Sequence, residues 1–330
     1  MSPSSPTFRQ PAEWARHDAV WIGFPSHPEL WEDDLSPAQE EVAAFARAVH
    51  AGGAGERVVL VANDATAAGV ARVLAPDAAV EIQRFGDIWL RDTGAIIVAD
   101  SAERRAARFA FNWWGGKYHL EGDESVGGRL AAAAGFAVDA HDWVLEGGAI
   151  DVDGAGLAVT TEQCLLHPNR NPGLLREDIE RRLRASLGIE RVLWLGEGLA
   201  NDHTDGHVDN LARFVAPGRI ALPEAAGTDD PNAAVYADAA ARARAFGLEV
   251  VLLPSPGLIA EDDEIIPASY MNFYIGNATV VVPVYGAPND GAAVAAIGDV
   301  FPDRVAVGLR ADHILTGGGS FHCISQQVPA

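Results

Sequence analysis

The sequence predicts a mixed α/β fold, and three observations carry that prediction. Short runs rich in Val, Ile and Phe, bounded by Gly, Pro, Asn or Asp, alternate with Ala-rich stretches of helical length. A hairpin, then a helix, then one further strand recurs along the chain. Pro and Gly are spread throughout, with no linker and no low-complexity tail, so residues 1–330 read as one domain.

The strand runs in order are 57–62, 79–85, 88–99, 108–111, 143–150, 156–161, 191–195, 207–215, 219–222, 249–253, 271–275, 278–284, 304–307 and 321–326. Helices are expected over 36–50, 65–74, 125–134, 174–187, 233–246 and 291–297. Ser36-Pro37 and Asp290 fit helix starts, with Pro37 at the first helical position. Gly188, Gly247 and Gly298 fit helix stops. The hairpins then fall at 89–111, 143–161, 207–222 and 271–284. A fifth requires the C-terminal run 321–326 to pair with 20–24 near the N-terminus. The first strands carry Asp92, Glu146, His207, Asn272 and Cys323, separated by 54, 61, 65 and 51 residues. That near-regular period points to five units closed in a ring, with five chemically distinct side chains around one axis.

Composition narrows the function. Hydrophobic residues are 48% and charged residues 21%, which rules out wholesale disorder. No apolar run approaches the ~20 residues of a membrane span, and the first residues lack the apolar stretch of a secretory signal. Two cysteines, Cys164 and Cys323, in so long a chain fit free thiols in a reducing cytoplasm. The net charge is −22 and the pI near 4.7, which argues against nucleic-acid and anionic-lipid partners. Most of these carboxylates are expected to be solvated surface, but the balance also suits a small cationic ligand.

Cys323 sits in T-G-G-G-S-F-H-C-I-S-Q-Q, where Gly317, Gly318 and Gly319 let backbone approach a ligand closely. Cys164, followed by Leu165 and Leu166, reads as a buried small hydrophobe. A thiol with a pKa of about 8.5 needs a cation or a base nearby before it attacks. His207 and Asp209, in D-G-H-V-D-N, would share one face of a strand and are costly there unless they face a site. His322 would point to the opposite face from Cys323 and is the poorer base. Asp92 in W-L-R-D-T-G alternates inward beside Arg91, and Glu146 ends an apolar strand before two glycines. His203, Asp205, His207 and Asp209 also alternate like metal ligands, although Thr204-Asp205-Gly206 is better turn than strand. Nucleotide-binding glycine motifs are absent. Carboxylates around an empty thiol would raise its pKa. The set makes sense if the substrate is a guanidinium, whose N–H edges two carboxylates can grip while its charge favours the thiolate.

With P-A-E-W-A-R-H-D-A-V-W, W-L-R-D-T-G, F-N-W-W-G-G-K-Y, E-G-G-A-I-D-V-D-G, T-T-E-Q-C-L-L-H-P-N-R-N-P, D-G-H-V-D-N and G-G-G-S-F-H-C-I-S-Q-Q in that order, the chain resembles agmatine deiminases. These belong to the bacterial peptidylarginine deiminase-type branch of guanidino-group-modifying enzymes. The resemblance runs from Pro11 to Ala330. It implies a five-bladed pseudo-symmetric α/β propeller of ββαβ units around a central site. It implies Cys323 as nucleophile, His207 as general acid/base, Asp92 and Asp209 gripping the guanidinium, and Glu146 holding His207 and the far nitrogens. No metal or organic cofactor is implied. Trp14, Trp21, Trp31, Trp113 and Trp114 are candidates for the substrate's tail, and Gly318 and Gly319 for substrate binding. Ala95, Phe24, Ser320-Phe321, His203 and a shortened stretch after Lys117 depart from the usual pattern, so the substrate is less fixed than the reaction. Free arginine would want a cation for its carboxylate, and Lys117 and Arg91 are the candidates. The expectation is a cytoplasmic agmatine deiminase, with a homodimer left open. The alternatives are a deiminase of the same mechanism acting on arginine, peptidyl arginine or another guanidine, a metal-dependent hydrolase, and an inactive module that binds cations.

Overall fold

The computed structural model describes residues 8–261 and 264–330. The opening segment, read above as lacking a secretory signal, lies mostly outside them. The fold is mixed α/β, and each predicted unit forms its own small sheet. β4 (Ile96–Ala99), β5 (Arg104–Ala110) and β6 (Ala137–Val144) make one; β7 (Asp151–Val152), β8 (Leu157–Thr161) and β9 (Arg191–Leu195) make the next. β10 (Arg213–Ala216), β11 (Arg219–Glu224) and β12 (Glu249–Pro254) follow. A short ribbon, β13 (Ala260–Glu261) and β14 (Glu264–Ile265), precedes the sheet of β15 (Tyr274–Ile275), β16 (Thr279–Val284) and β17 (Val305–Arg310). In each three-stranded sheet the first two strands form an antiparallel hairpin and the third runs parallel to the second. A helix makes each parallel crossover, as such a connection requires.

The two ends of the chain meet in one sheet. β18 (Ser325–Pro329) pairs antiparallel with β1 (His17–Gly23), Trp21 opposite Gln326 and Ile22 opposite Ser325. β1 then runs parallel to β2 (Arg57–Ala62), and β2 to β3 (Ala79–Ile82). This is the pairing on which the fifth unit depended, shifted towards the C-terminus by a few residues. Among the described residues no helix is long and apolar enough to cross a membrane.

Helix ends follow local chemistry with two exceptions. The helices Ala65–Leu74 and Ala233–Phe246 have the expected bounds. The Asp64 side chain caps the first of these by accepting from Ala67 N at 2.8 Å. Gly188 and Gly247 end their helices at φ +67° and +97°, where a side chain would be strained. The helix Leu35–His50 starts two residues before Pro37, which sits within the first turn where its missing N–H costs nothing. The helix Asp290–Val300 runs through Gly298. Gly298 is a packing residue, since a Cβ there would come 3.1 Å from Ala306 on β17.

The largest departure lies where the chemistry is. The runs 88–99, 207–215, 271–275 and 321–326 do not begin as strands, and 143–150 starts with the last two residues of β6 before it turns. Each carries a single helical turn: Leu90–Thr93, Gly147–Ala149, Val208–Asn210, Tyr270–Asn272, and a turn through residues 321–324. Asp92, Asp209, Asn272 and Cys323 lie in these turns, and Glu146 immediately before one. Alternation along a strand therefore does not set their directions. Neighbouring turns bond one another: Arg91 N to Cys323 O at 3.0 Å, His322 N to Asn272 O at 3.2 Å, Asn272 Nδ2 to Asn210 Oδ1 at 2.8 Å, and Gly148 N to Asp92 Oδ1 at 2.9 Å. A strand ladder would have consumed backbone groups that these bonds use.

Buried ions tie the turns from below. Glu13 pairs with Arg91 at 3.3 Å, with Arg213, and with His322 Nε2 at 2.9 Å. Arg213 Nε reaches Asp151 at 2.6 Å, and its Nη1 donates to Met271 O and Phe273 O. Burial opposes the Glu13 charge, but Arg213, His322 and Arg91 hold its carboxyl well below the usual range. Glu13→Ala leaves the buried Arg91 without its carboxylate and Arg213 with Asp151 alone, and is expected to cost about 3–5 kcal/mol in urea unfolding. A loss below about 1 kcal/mol, the value of an exposed pair, would contradict this role.

Candidate active site

The turns face a cavity of about 340 Å3 whose lining includes Trp89, Asp92, Trp114, His203, Gly318 and Cys323. Gly319 lines it as well. Cys323, Asp92, His207, Asp209 and Glu146, selected from the sequence, come together and are all buried. His207 Nδ1 is 3.6 Å from Asp92 Oδ1. The Cys323 thiol points at Asp209 Oδ2, 3.5 Å away, and Asn272 Nδ2 donates to the sulfur at 3.0 Å.

Two of these acids are only half used. Arg170 Nε donates to Glu146 Oε1 at 2.7 Å, and Glu146 Oε2 has no partner. His322 Nδ1 donates to Asp209 Oδ2 at 2.8 Å, and Asp209 Oδ1 has none. Neither ring nitrogen of His207 is hydrogen-bonded. Asp92 is held by Gly148 N and Trp114 Nε1, both at 2.9 Å. Only glycine fits at 148, because a Cβ there would lie 2.6 Å from His207 Nδ1 and 2.9 Å from Asp92 Oδ1. Buried polar atoms without partners are rare and each calls for an explanation. A planar ligand rich in N–H donors would supply it.

The electrostatics fit a site waiting for a cation. Burial first, then the Asp209 and Asp92 charges, push the Cys323 thiol well above its ordinary value. Burial works against a charged His207, but Asp92, the Cys164 thiol and Glu146 together raise it well above the usual imidazole range. Burial would also neutralise Asp209, yet His322, His207 and Arg213 hold its carboxyl low. Asp92 is raised, by burial first and by Asp209 and Glu146 after. These shifts favour a neutral Cys323 thiol and a protonated His207 imidazole.

Other expectations need correction. Trp21 is buried in β1 and takes no part in the cavity lining. Trp113 stacks on His119, centroids 3.8 Å apart, and donates to Leu120 O, outside that lining. Trp14 packs against the core outside the lining, whereas the candidate Trp31 lines the wall together with Trp89, their indole nitrogens fixed by Asp87. His203, Asp205, His207 and Asp209 do not converge as ligands. His203 lies on the cavity wall near Tyr118, and Asp205 is taken by Lys117 and Arg170. Cys164 is buried as expected, but its sulfur lies within 4.8 Å of ligand-type atoms of both His207 and Glu146. With Arg170 bonded to Glu146, that trio reads as the setting of the His207 proton. Arg91 is spent on Glu13 and Lys117 on Asp205, so neither is free for a substrate carboxylate.

Arg170 and His322 are the residues sequence reasoning missed. Arg170 stands inside the quoted H-P-N-R-N-P motif, but nothing in its spacing shows burial against Glu146. His322 was set aside on strand alternation. In the turn, its ring bridges Asp209 and Glu13.

Residues 9–329 match the family described as Porphyromonas-type peptidyl-arginine deiminase. The chain belongs to that family. It is 35% identical to the agmatine deiminase of Stutzerimonas stutzeri (strain A1501), over 100% of this chain and 97% of that one. The agmatine deiminase of Enterococcus faecalis superposes with a TM-score of 0.92 at 33% identity, covering 99% and 98% of the two chains. The substrate-bound agmatine deiminase of C. jejuni gives 0.93 at 26% identity, covering 100% and 98%.

Thiolate absorbance, taken as wild type minus Cys323→Ser, is expected to show no step in the empty enzyme until pH exceeds the ordinary thiol range. A step below that range would contradict the electrostatic reading.

Proposed function

We propose that this protein is an agmatine deiminase, hydrolysing the guanidinium of agmatine to N-carbamoylputrescine and ammonia. The observation that carries the proposal is the pair of partnerless buried acceptors: Asp209 Oδ1, on the carboxylate that meets the Cys323 thiol, and Glu146 Oε2, on the carboxylate beside His207. In this reading the five sheets that hold the chemistry-bearing turns are the blades of a five-bladed α/β propeller.

Asp92 and Asp209 take the guanidinium edges, and the arriving cation offsets the carboxylates that keep the thiol neutral. The Cys323 thiol gives its proton to solvent as the cation binds, and the thiolate attacks the guanidinium carbon, forming the S–C bond. The C–N bond then breaks, and the departing nitrogen leaves as ammonia with a proton from His207. An amidino-thioether remains on Cys323. His207, now neutral, takes a proton from water, whose oxygen attacks the same carbon. The S–C bond breaks as the hydroxyl proton passes to the departing sulfur, leaving the neutral ureido product and the free Cys323 thiol. Glu146 holds the far nitrogens and keeps His207 charged until it donates.

The cavity favours an amine-ended guanidine over arginine. Among the described residues no Arg or Lys lines it, while Asp34 and Asp87 stand with Trp31, Trp89 and Trp114 on its wall. A primary ammonium suits acids and aromatic faces, and an α-carboxylate would be left without a partner. The relatives compared above carry the same activity in their names.

The test is ammonia and ureido product from agmatine, arginine and a peptidyl arginine. Agmatine is expected to dominate, and comparable or faster turnover of arginine would overturn the substrate assignment. Cys323→Ala should abolish product while retaining guanidine binding. Inactivation by iodoacetamide together with resistance to EDTA is expected, and the reverse pattern would favour the metal-dependent alternative.

A further inference from the structure

Lys117 is the only lysine in the chain, among 24 basic residues. It stands at the edge of the cavity, about a third exposed, and does not line it. Its Nζ lies 2.5 Å from Asp205 Oδ1 and 2.8 Å from His203 O. The other Asp205 oxygen, Oδ2, accepts from Arg170 Nη1 at 2.5 Å. Arg170 is fully buried, donates to Thr204 O at 2.7 Å and holds Glu146 Oε1 at 2.7 Å. An unbroken chain of charges thus runs from a surface ammonium to a carboxylate of the proposed site.

Lys117 also ends an unusual loop. Trp113, Trp114, Gly115 and Gly116 have φ of +55°, +52°, +81° and +84°, and for a tryptophan that conformation is strained. The loop is productive only when held, because Trp114 Nε1 is one of the two donors fixing Asp92. Asp205 at φ +63° and Gly206 at +82° form the facing loop, which leads directly into His207. The two loops meet on Arg170: a Cβ at Gly115 would lie 2.9 Å from its Nη1.

We propose that Lys117 is a positioning residue, latching these two loops together and thereby aiming Asp92 and Glu146 at the bound guanidinium. It touches no reacting atom. Removing its charge frees Asp205 on one side, loosens the Trp114 loop on the other, and lets both carboxylates drift from the planar cation. Displacements of about 1 Å at such a site cost on the order of 10²-fold in rate. The inference rests on the deiminase reading, and wild-type turnover of agmatine tests that reading separately. Only the ratio of variant to wild type bears on Lys117, and calorimetric affinity for agmatine in a Cys323→Ala background gives that ratio without turnover.

The experiment compares Lys117→Met, Lys117→Arg, Asp205→Asn and the double variant Lys117→Met/Asp205→Asn. Lys117→Met is expected to lose on the order of 10²-fold in kcat/KM. Lys117→Arg, which keeps the cation, should recover most of it. Because both residues act through one chain, the double variant should be no worse than the poorer single one. If Lys117→Met does not fold, acetylation of the folded wild type supplies the same test, since Lys117 is the sole side-chain amine. Activity should then fall in step with acetyl incorporation at Lys117. Full activity after complete acetylation, Lys117→Arg as poor as Lys117→Met, or independent multiplying effects would each overturn the proposal.

Discussion

The arrangement on which the rest depends is the half-use of buried carboxylates. Glu146 and Asp209 each commit one oxygen to a buried nitrogen donor and leave the other bare. Arg170 and His322 are those donors. At Asp209, His322 with His207 and Arg213 holds the carboxyl low in a place where burial alone would raise it. The division also leaves a deficit of N–H donors that a guanidinium fills. A neutral urea of the same shape brings fewer donors and no charge, so the same geometry lets product go.

The fold serves this arrangement by leading into each first strand through a helical turn. A strand would have sent alternate side chains to opposite faces. A turn places one side chain at its end and frees backbone groups to bond the next turn. Glu13, Arg91, Arg213 and Asp151 then knit the turns from beneath, so a displacement of one is felt by its neighbours. Stability and chemistry share these residues: His322 bonds Glu13 of the supporting network and Asp209 of the site through one ring.

The sequence made the repeated units legible because hairpin, helix and strand recur at a nearly constant spacing. It also exposed Cys323, His207, Asp92, Asp209 and Glu146, because polar residues at the start of apolar runs are conspicuous. It hid the turns, because a four-residue turn leading into a strand carries no periodicity of its own. The error over His322 came from that, as strand alternation does not apply to a turn. Arg170 and Lys117 were hidden for another reason. Their roles depend on loops far apart in sequence, and no local pattern reports such contacts. Trp21 and Trp113 misled because an aromatic looks the same in the core and in a pocket wall.

The most direct measurement follows the sulfur as the cation arrives. In stopped-flow mixing of a slowed His207→Ala enzyme with agmatine at neutral pH, thiolate absorbance should rise on binding, before any product forms. Mixing with the neutral ureido compound should leave it flat. Thiolate already present in the empty enzyme, or an equal response to the neutral compound, would contradict the claim that the guanidinium itself arms Cys323.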